Sequence, residues 1–188
     1  TYFKRELAAF LLHAREQQLP PESFKSSYAG ATGIPQFMPT SIRSYAIDFD
    51  GDRRIDLANS PRDAIGSVAA FLQIHGWKPG GRIAHPAKFD SPPPSHWLVA
   101  GILPSLSGPM SLWTTLSDRA PEEVSLIELR SDDAVEYWWG FYNLYVISRY
   151  NRSSSYAMAV NLLGQAVADA RSEQTARADS PATPRRGG

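Results

Sequence analysis

The chain has 188 residues, 43% hydrophobic and 11% aromatic, which fits one folded domain with a core of its own. Its 19 Lys and Arg balance its 19 Asp and Glu, so net charge gives no reason to expect nucleic acid or anionic lipid as a partner. The absence of cysteine excludes disulfides and thiol chemistry, and no apolar run approaches the roughly 20 residues a membrane-spanning helix needs.

Phe3, Leu7, Phe10 and Leu11 recur at helical spacing and predict a helix over about 1–18, with that apolar stripe packed inward. The chain opens at Thr1 without an initiator methionine and runs at once into this helix, so the native N-terminus, with any export signal, is expected upstream. Pro20 and Pro21 end the helix. From Ser26 to Pro39 the sequence turns to small, aromatic and amide residues without charge, a composition suited to a wall that touches a polar ligand. A short helix capped by the Thr40 hydroxyl follows, facing Ile42, Tyr45 and Ala46 inward.

Asp48, Asp50 and Asp52 alternate in one tight loop, with the Arg54 carbonyl at the seventh position, the one-three-five-seven spacing with which an EF-hand collects oxygen ligands for calcium. Two positions depart from the pattern, Arg53 where glycine is usual and Asn59 where a bidentate glutamate is usual. Asp63 closes a longer loop, 48–63, or else caps the next helix, and the triplet itself reads as a calcium site or as a solvated acidic turn. Ser60, Pro61 and Asp63 start a helix whose predicted inner stripe is Ile65, Val68, Ala69 and Leu72, and Gly76 stops it.

Residues 78–94 read as a loop and 97–103 as a short helix, whereas Val124–Leu129 alternates as a strand. Ser131, Asp132 and Asp133 predict a helix start, with Ala134, Tyr137, Trp138 and Phe141 on one face. A last helix carries Tyr156, Val160, Leu163, Gly164 and Val167 to about Arg171, and the Ser, Ala, Pro and Arg of 172–188 predict a disordered tail. The four histidines do not fall at a ligand-like spacing, so zinc is not expected.

Three segments in this order, Ser26–Pro39, Asp48–Asp52 with Asp63–Val68, and Arg149–Met158, resemble the B-type lytic murein transglycosylases; the likeness covers most of the chain from Tyr2 to Arg171, and 1–171 is taken as the C-terminal part of the catalytic domain. It implies a mainly α, lysozyme-like helical core with an EF-hand-like calcium loop and a small β element. It also implies cleavage of the MurNAc-β-1,4-GlcNAc bond of peptidoglycan in the periplasm of a Gram-negative bacterium by a monomer, with structural Ca²⁺ and without nucleic acid; any outer-membrane anchor is expected in the missing N-terminus.

The family's single catalytic glutamate lies in a motif that no segment here matches, so it is expected upstream of Thr1. Glu6, Glu16 and Glu22 are set aside, the first two as lying outside the apolar stripe. By resemblance, Ser27 and Tyr150 support the acid, and Gln36, Met38, Asn151 and Tyr156 touch sugar. The residues alone leave plain readings open: a turn serine, core filling at Met38, a helix cap at Tyr150 and Asn151. A competing function is a non-catalytic, calcium-stabilised peptidoglycan-binding module.

Overall fold

The computed structural model describes residues 1–98, 102–109, 111–112, 122–132 and 134–178. Within them the chain divides into two units, Thr1–Gly76 and Trp77–Gly188. The first is helical. Helix α1 (Tyr2–Glu16) ends with Gln18 at φ 55°, where the Leu19 N–H donates to the Ala14 carbonyl and the Gln18 N–H to that of Arg15. This left-handed cap satisfies carbonyls that a helix end leaves open. The Phe24 ring then folds back to meet Phe10 edge-on at 5.5 Å and His13 at 5.6 Å.

The face that α1 buries is not the expected apolar stripe. Phe3, Leu7 and Leu11 are exposed, whereas Glu6, Ala9 and Ala14 are buried. Alanines let α1 lie close to α2 (Pro39–Tyr45), its main packing partner, and Glu6 is drawn inward by hydrogen bonds to that helix. Thr40 therefore spends its hydroxyl on Glu6, and α2 has Met38 rather than a hydroxyl residue at its N-cap.

Helix α3 (Pro61–Ile74) starts where the sequence places it, with Ser60 Oγ accepting the Asp63 N–H at 3.2 Å, and Gly76 at φ 91° follows its end. Its buried face is Asp63, Ala64, Gly66, Ser67 and Phe71, while Ile65 and Ala69 are exposed and Val68 and Leu72 half-buried. Small residues on this face permit close approach: a Cβ at Gly66 would stand 2.4 Å from Phe49. Phe37, Tyr45 and Phe71 form the aromatic core, with Tyr45 4.8 Å from Phe71 ring to ring.

The second unit holds an antiparallel sheet in the order β1-β4-β3-β2, from β1 (Ala84–Ala87), β2 (Leu106–Ser107), β3 (Glu123–Arg130) and β4 (Val135–Gly140). Strand β3 is where the sequence predicts it, but Ser131 opens a turn instead of a helix: its N–H donates to the Ala134 carbonyl, and its Oγ accepts the Ala134 N–H. Tyr137 and Trp138 consequently sit on β4, opposite Glu128 and Ile127. Strand β1 falls inside the expected 78–94 loop, paired with β4. The expected 97–103 helix is a 3-10 turn at Ser95–Trp97, and 99–101 lie outside the described residues.

Ile127, Leu144, Ile147, Ala157 and Met158 pack on one side of β3, and Val124, Leu126, Trp139 and Phe141 form a second cluster. Helix α4 (Tyr142–Ser148) is locked to the start of the unit by Asn143, whose amide accepts from the Lys78 N–H and donates to the Lys78 and Gly81 carbonyls. Helix α5 (Ser154–Ala178) runs past the expected break at Ser172, because 172–178 holds good helix formers and no proline before Pro181. It buries Ala157, Met158 and Asn161 rather than Val160, Leu163 and Val167, which are exposed.

Asn161 is 3% exposed, and neither its Oδ1 nor its Nδ2 has a hydrogen-bond partner among the described residues. An unpaired buried amide costs roughly 1–3 kcal/mol. Asn161→Leu, nearly the same shape, is expected to raise the melting temperature by several degrees; a lowered one would show that the amide is paired after all.

Candidate functional site

The uncharged segment 26–39 is folded on itself. Thr32 bridges both Ser26 and Phe37, the Ser27 N–H donates to the Ala31 carbonyl at 2.8 Å, and Gly30 turns the chain at φ 96°. Ser27 Oγ accepts the Ala31 N–H at 3.1 Å, so this exposed hydroxyl closes its own turn. Gly33 presses against the next loop: a Cβ there would lie 2.6 Å from the Leu57 carbonyl oxygen, which accepts the Ile34 N–H at 2.7 Å.

Gln36 is the strained position. Its backbone sits at φ 52°, a left-handed conformation that non-glycine residues rarely hold, at a cost of roughly 1–3 kcal/mol. Its Nε2 donates to the Gly33 carbonyl at 2.9 Å, and its Oε1 has no partner among the described residues. The side chain is exposed and lines a cleft of ≈ 570 Å³ with His13, Lys25, Arg54 and Asn59. Met38 is half-buried at the start of α2.

The acidic loop is tied down by Asp63. This buried carboxylate accepts the Phe49 N–H on Oδ1 and the Asp56 N–H on Oδ2, each at 2.9 Å. The Asp56 and Phe49 amides hold its carboxyl below the ordinary carboxylate range, against the opposing effect of burial. Asp48, Asp50 and Asp63 each bring a carboxylate oxygen within 4.8 Å of the others. Asp52 does not join them: it accepts the Arg54 N–H two residues on, a local turn that costs the chain little. Arg54 contributes to the lining of the ≈ 570 Å³ cleft.

In the second unit, Tyr150 is half-buried just beyond α4, and burial raises its phenol well above the ordinary tyrosine range, with a smaller contribution from Tyr156. Asn151 is exposed and gives its carbonyl to the Ser153 N–H at 2.7 Å. Ser153 Oγ accepts the Tyr156 N–H at 3.2 Å, which caps α5 and fixes Tyr156 in its first turn. Ser27, Gln36 and Met38 thus belong to the first unit and Tyr150, Asn151 and Tyr156 to the second.

The model of the transglycosylase SLT domain matches residues 1–165. The chain belongs to that family. It is 44% identical to membrane-bound lytic murein transglycosylase B of Escherichia coli, over 90% of this chain and 47% of that protein. Soluble lytic transglycosylase SltB1 of Pseudomonas aeruginosa has the same fold at a TM-score of 0.80 and 43% identity, over 91% of this chain and 58% of that one. Escherichia coli lytic transglycosylase Slt35, solved in complex with calcium, matches at a TM-score of 0.73 and 42% identity, over 90% and 54%. This SLT chain therefore spans about half the length of the relatives it matches, in a lysozyme-like, mainly helical fold with a small sheet.

Sequence reasoning missed Glu6, which it placed on the solvent side of α1. The residue is 5% exposed, and its two oxygens accept from the Thr40 N–H at 3.0 Å and the Thr40 Oγ at 2.8 Å. The available signal was the Met38-Pro39 start of α2, which supplies no capping side chain of its own.

His13, on the cleft wall, has its pKa lowered from 6.5 chiefly by burial, with Glu16 pulling the other way. A group depressed in the folded state binds more protons when unfolded, so its stabilising share is complete above 6.5 and is lost as pH falls through the folded value. The melting temperature should drop on acidification from 6.5 toward the folded value, and His13→Gln should remove part of the drop; an unchanged pH profile in the variant would exclude His13 as its source.

Proposed function

We propose that this SLT chain forms part of the glycan-binding wall and the calcium-stabilised base of a peptidoglycan lytic transglycosylase. In the reaction, a carboxyl protonates the glycosidic oxygen between MurNAc and GlcNAc. The muramoyl 6-hydroxyl then loses its proton to the same group and attacks its own anomeric carbon, giving the 1,6-anhydro sugar. The N-terminal glutamates of this chain are poor candidates for that acid: both oxygens of Glu6 already accept hydrogen bonds, Glu16 pairs with Arg43 at 2.6 Å, and Glu22 lies on an exposed turn. We assign the acid to a part of the parent protein outside these residues.

The contribution of this chain is to bind and orient. Gln36 carries the reading, because its strained backbone holds out an amide with an unshared acceptor oxygen beside a cleft. An amide and neutral hydroxyls hold sugar without adding a charge that would ionise a nearby acid early. Tyr150, raised by burial, stays a neutral hydroxyl at any physiological pH. Ser27 and Met38 in the first unit, and separately Asn151 and Tyr156 in the second, are the other proposed glycan contacts. The working place is the bacterial envelope, on its periplasmic side; no described helix is long and apolar enough to cross a membrane.

Calcium fits the acidic loop. Ca²⁺ takes oxygens at about 2.3–2.6 Å, so ligands across the ion stand roughly 5 Å apart, the span over which Asp48, Asp50 and Asp63 already gather their oxygens. These three would hold the ion, and its charge would offset their mutual repulsion. Its role is structural.

Two measurements test the reading. Titration with a GlcNAc-MurNAc muropeptide should show binding that Gln36→Ala weakens by about tenfold, the worth of one good hydrogen bond; equal affinity in the variant would refute the assignment of Gln36. Chelation should lower the melting temperature of the parent chain, and Asp50→Ala should abolish that sensitivity. No response to chelator would remove the metal from the proposal.

A further inference from the structure

Helix α2 begins in a way that leaves a donor stranded. Pro39 occupies its first turn without an N–H, and Met38 at the N-cap has no side chain able to accept one. Ser41 and Ile42 both direct their N–H groups to the Met38 carbonyl, which leaves the Thr40 N–H in need of an acceptor. No neighbour in sequence supplies it. The acceptor comes from Glu6 on α1, 34 positions away, which takes the Thr40 N–H on one oxygen and the Thr40 hydroxyl on the other.

The residues just before this clamp are Gln36, Phe37 and Met38. Phe37 is buried and exchanges backbone hydrogen bonds with Thr32, so the strand entering α2 is fixed on one side by that pair and on the other by Thr40. Gln36, at φ 52°, lies between Gly33 and this double anchor. A strained backbone persists only where its surroundings over-determine it.

We infer that Glu6 is a positioning residue: its buried carboxylate anchors the start of α2 and thereby holds Gln36 and Met38 in the geometry that receives glycan. The inference rests on the glycan reading given above. Glu6 does not touch the ligand; it acts through Thr40 and the chain that leads into it. A carboxylate suits the task because it can accept from both Thr40 donors at once, and Gln can replace it in part, with its carbonyl on the Thr40 N–H and its NH₂ turned to the Thr40 oxygen.

The test uses the full chain with Glu6→Ala, Glu6→Gln and Thr40→Val, read by amide hydrogen exchange and by affinity for a GlcNAc-MurNAc muropeptide, at a temperature where each variant is folded. Glu6→Ala is expected to speed exchange of the Thr40 amide by about tenfold or more and to weaken binding by about three- to tenfold. Glu6→Gln should retain affinity within about twofold. Affinity unchanged in Glu6→Ala, while Gln36→Ala still weakens it, would overturn the inference and leave the glycan reading standing. No binding by the unaltered chain would overturn the glycan reading itself. If Glu6→Ala does not fold, Thr40→Val decides: reduced affinity supports the positioning role, and parental affinity refutes it.

Discussion

The first unit depends on a single buried carboxylate that receives hydrogen bonds from two stretches of an otherwise charged loop. Asp63 takes the amides of Phe49 and Asp56, so the loop is pulled at two points onto the first turn of α3. The loop so fixed presents the Leu57 carbonyl to Ile34, and the close contact of Gly33 with Leu57 leaves no room for a side chain. Thus the position of the uncharged segment bearing Gln36 is set, through two steps, by Asp63. Removing its charge from water is tolerable because each oxygen is satisfied by a backbone amide.

That arrangement explains why an acidic loop and a neutral wall occur together. Carboxylates are concentrated where their repulsion can be offset, by backbone amides and by a divalent cation for which Asp48, Asp50 and Asp63 have a suitable spacing. The segment that we assign to the glycan carries no charge at all between Ser26 and Pro39. Glu6, the buried carboxylate on the neighbouring helix, is engaged through both oxygens and directed at Thr40. An acid that must deliver a proton works best among neighbours of this kind.

The parts of the fold that were legible in the sequence are those whose physics is local. Ser60 capping Asp63 and the strand at Glu123–Arg130 each follow from residues a few positions apart. Misreadings arose where one local chemistry serves two structures. Ser131 before two aspartates suits a helix N-cap and a β-turn equally, and pairing of Tyr137 and Trp138 with Glu128 and Ile127 decided for the strand. On α1 and α5 the hydropathy pattern pointed to large side chains, yet the contacts are made by Ala9, Ala14, Ala157 and Met158, of which the small ones carry almost no periodic signal.

Helices α2 and α3 make the limit concrete, since each begins with proline at its first position and each needs an acceptor for the amides that follow. In α3 the acceptor is Ser60, three residues from the amide it serves, and the sequence displays it. In α2 it is Glu6, 34 residues away on a helix whose hydropathy suggests that the side chain faces water. A missing local cap is nevertheless a signal, because a buried helix start cannot leave its amide unpaired without a penalty of a kilocalorie or more per mole, about the magnitude that decides a local conformation. A helix start with proline and no capping side chain therefore predicts a distant acceptor, and the search for it belongs among polar residues on the small-residue face of the neighbouring helix, where Glu6 shares the buried face with Ala9 and Ala14.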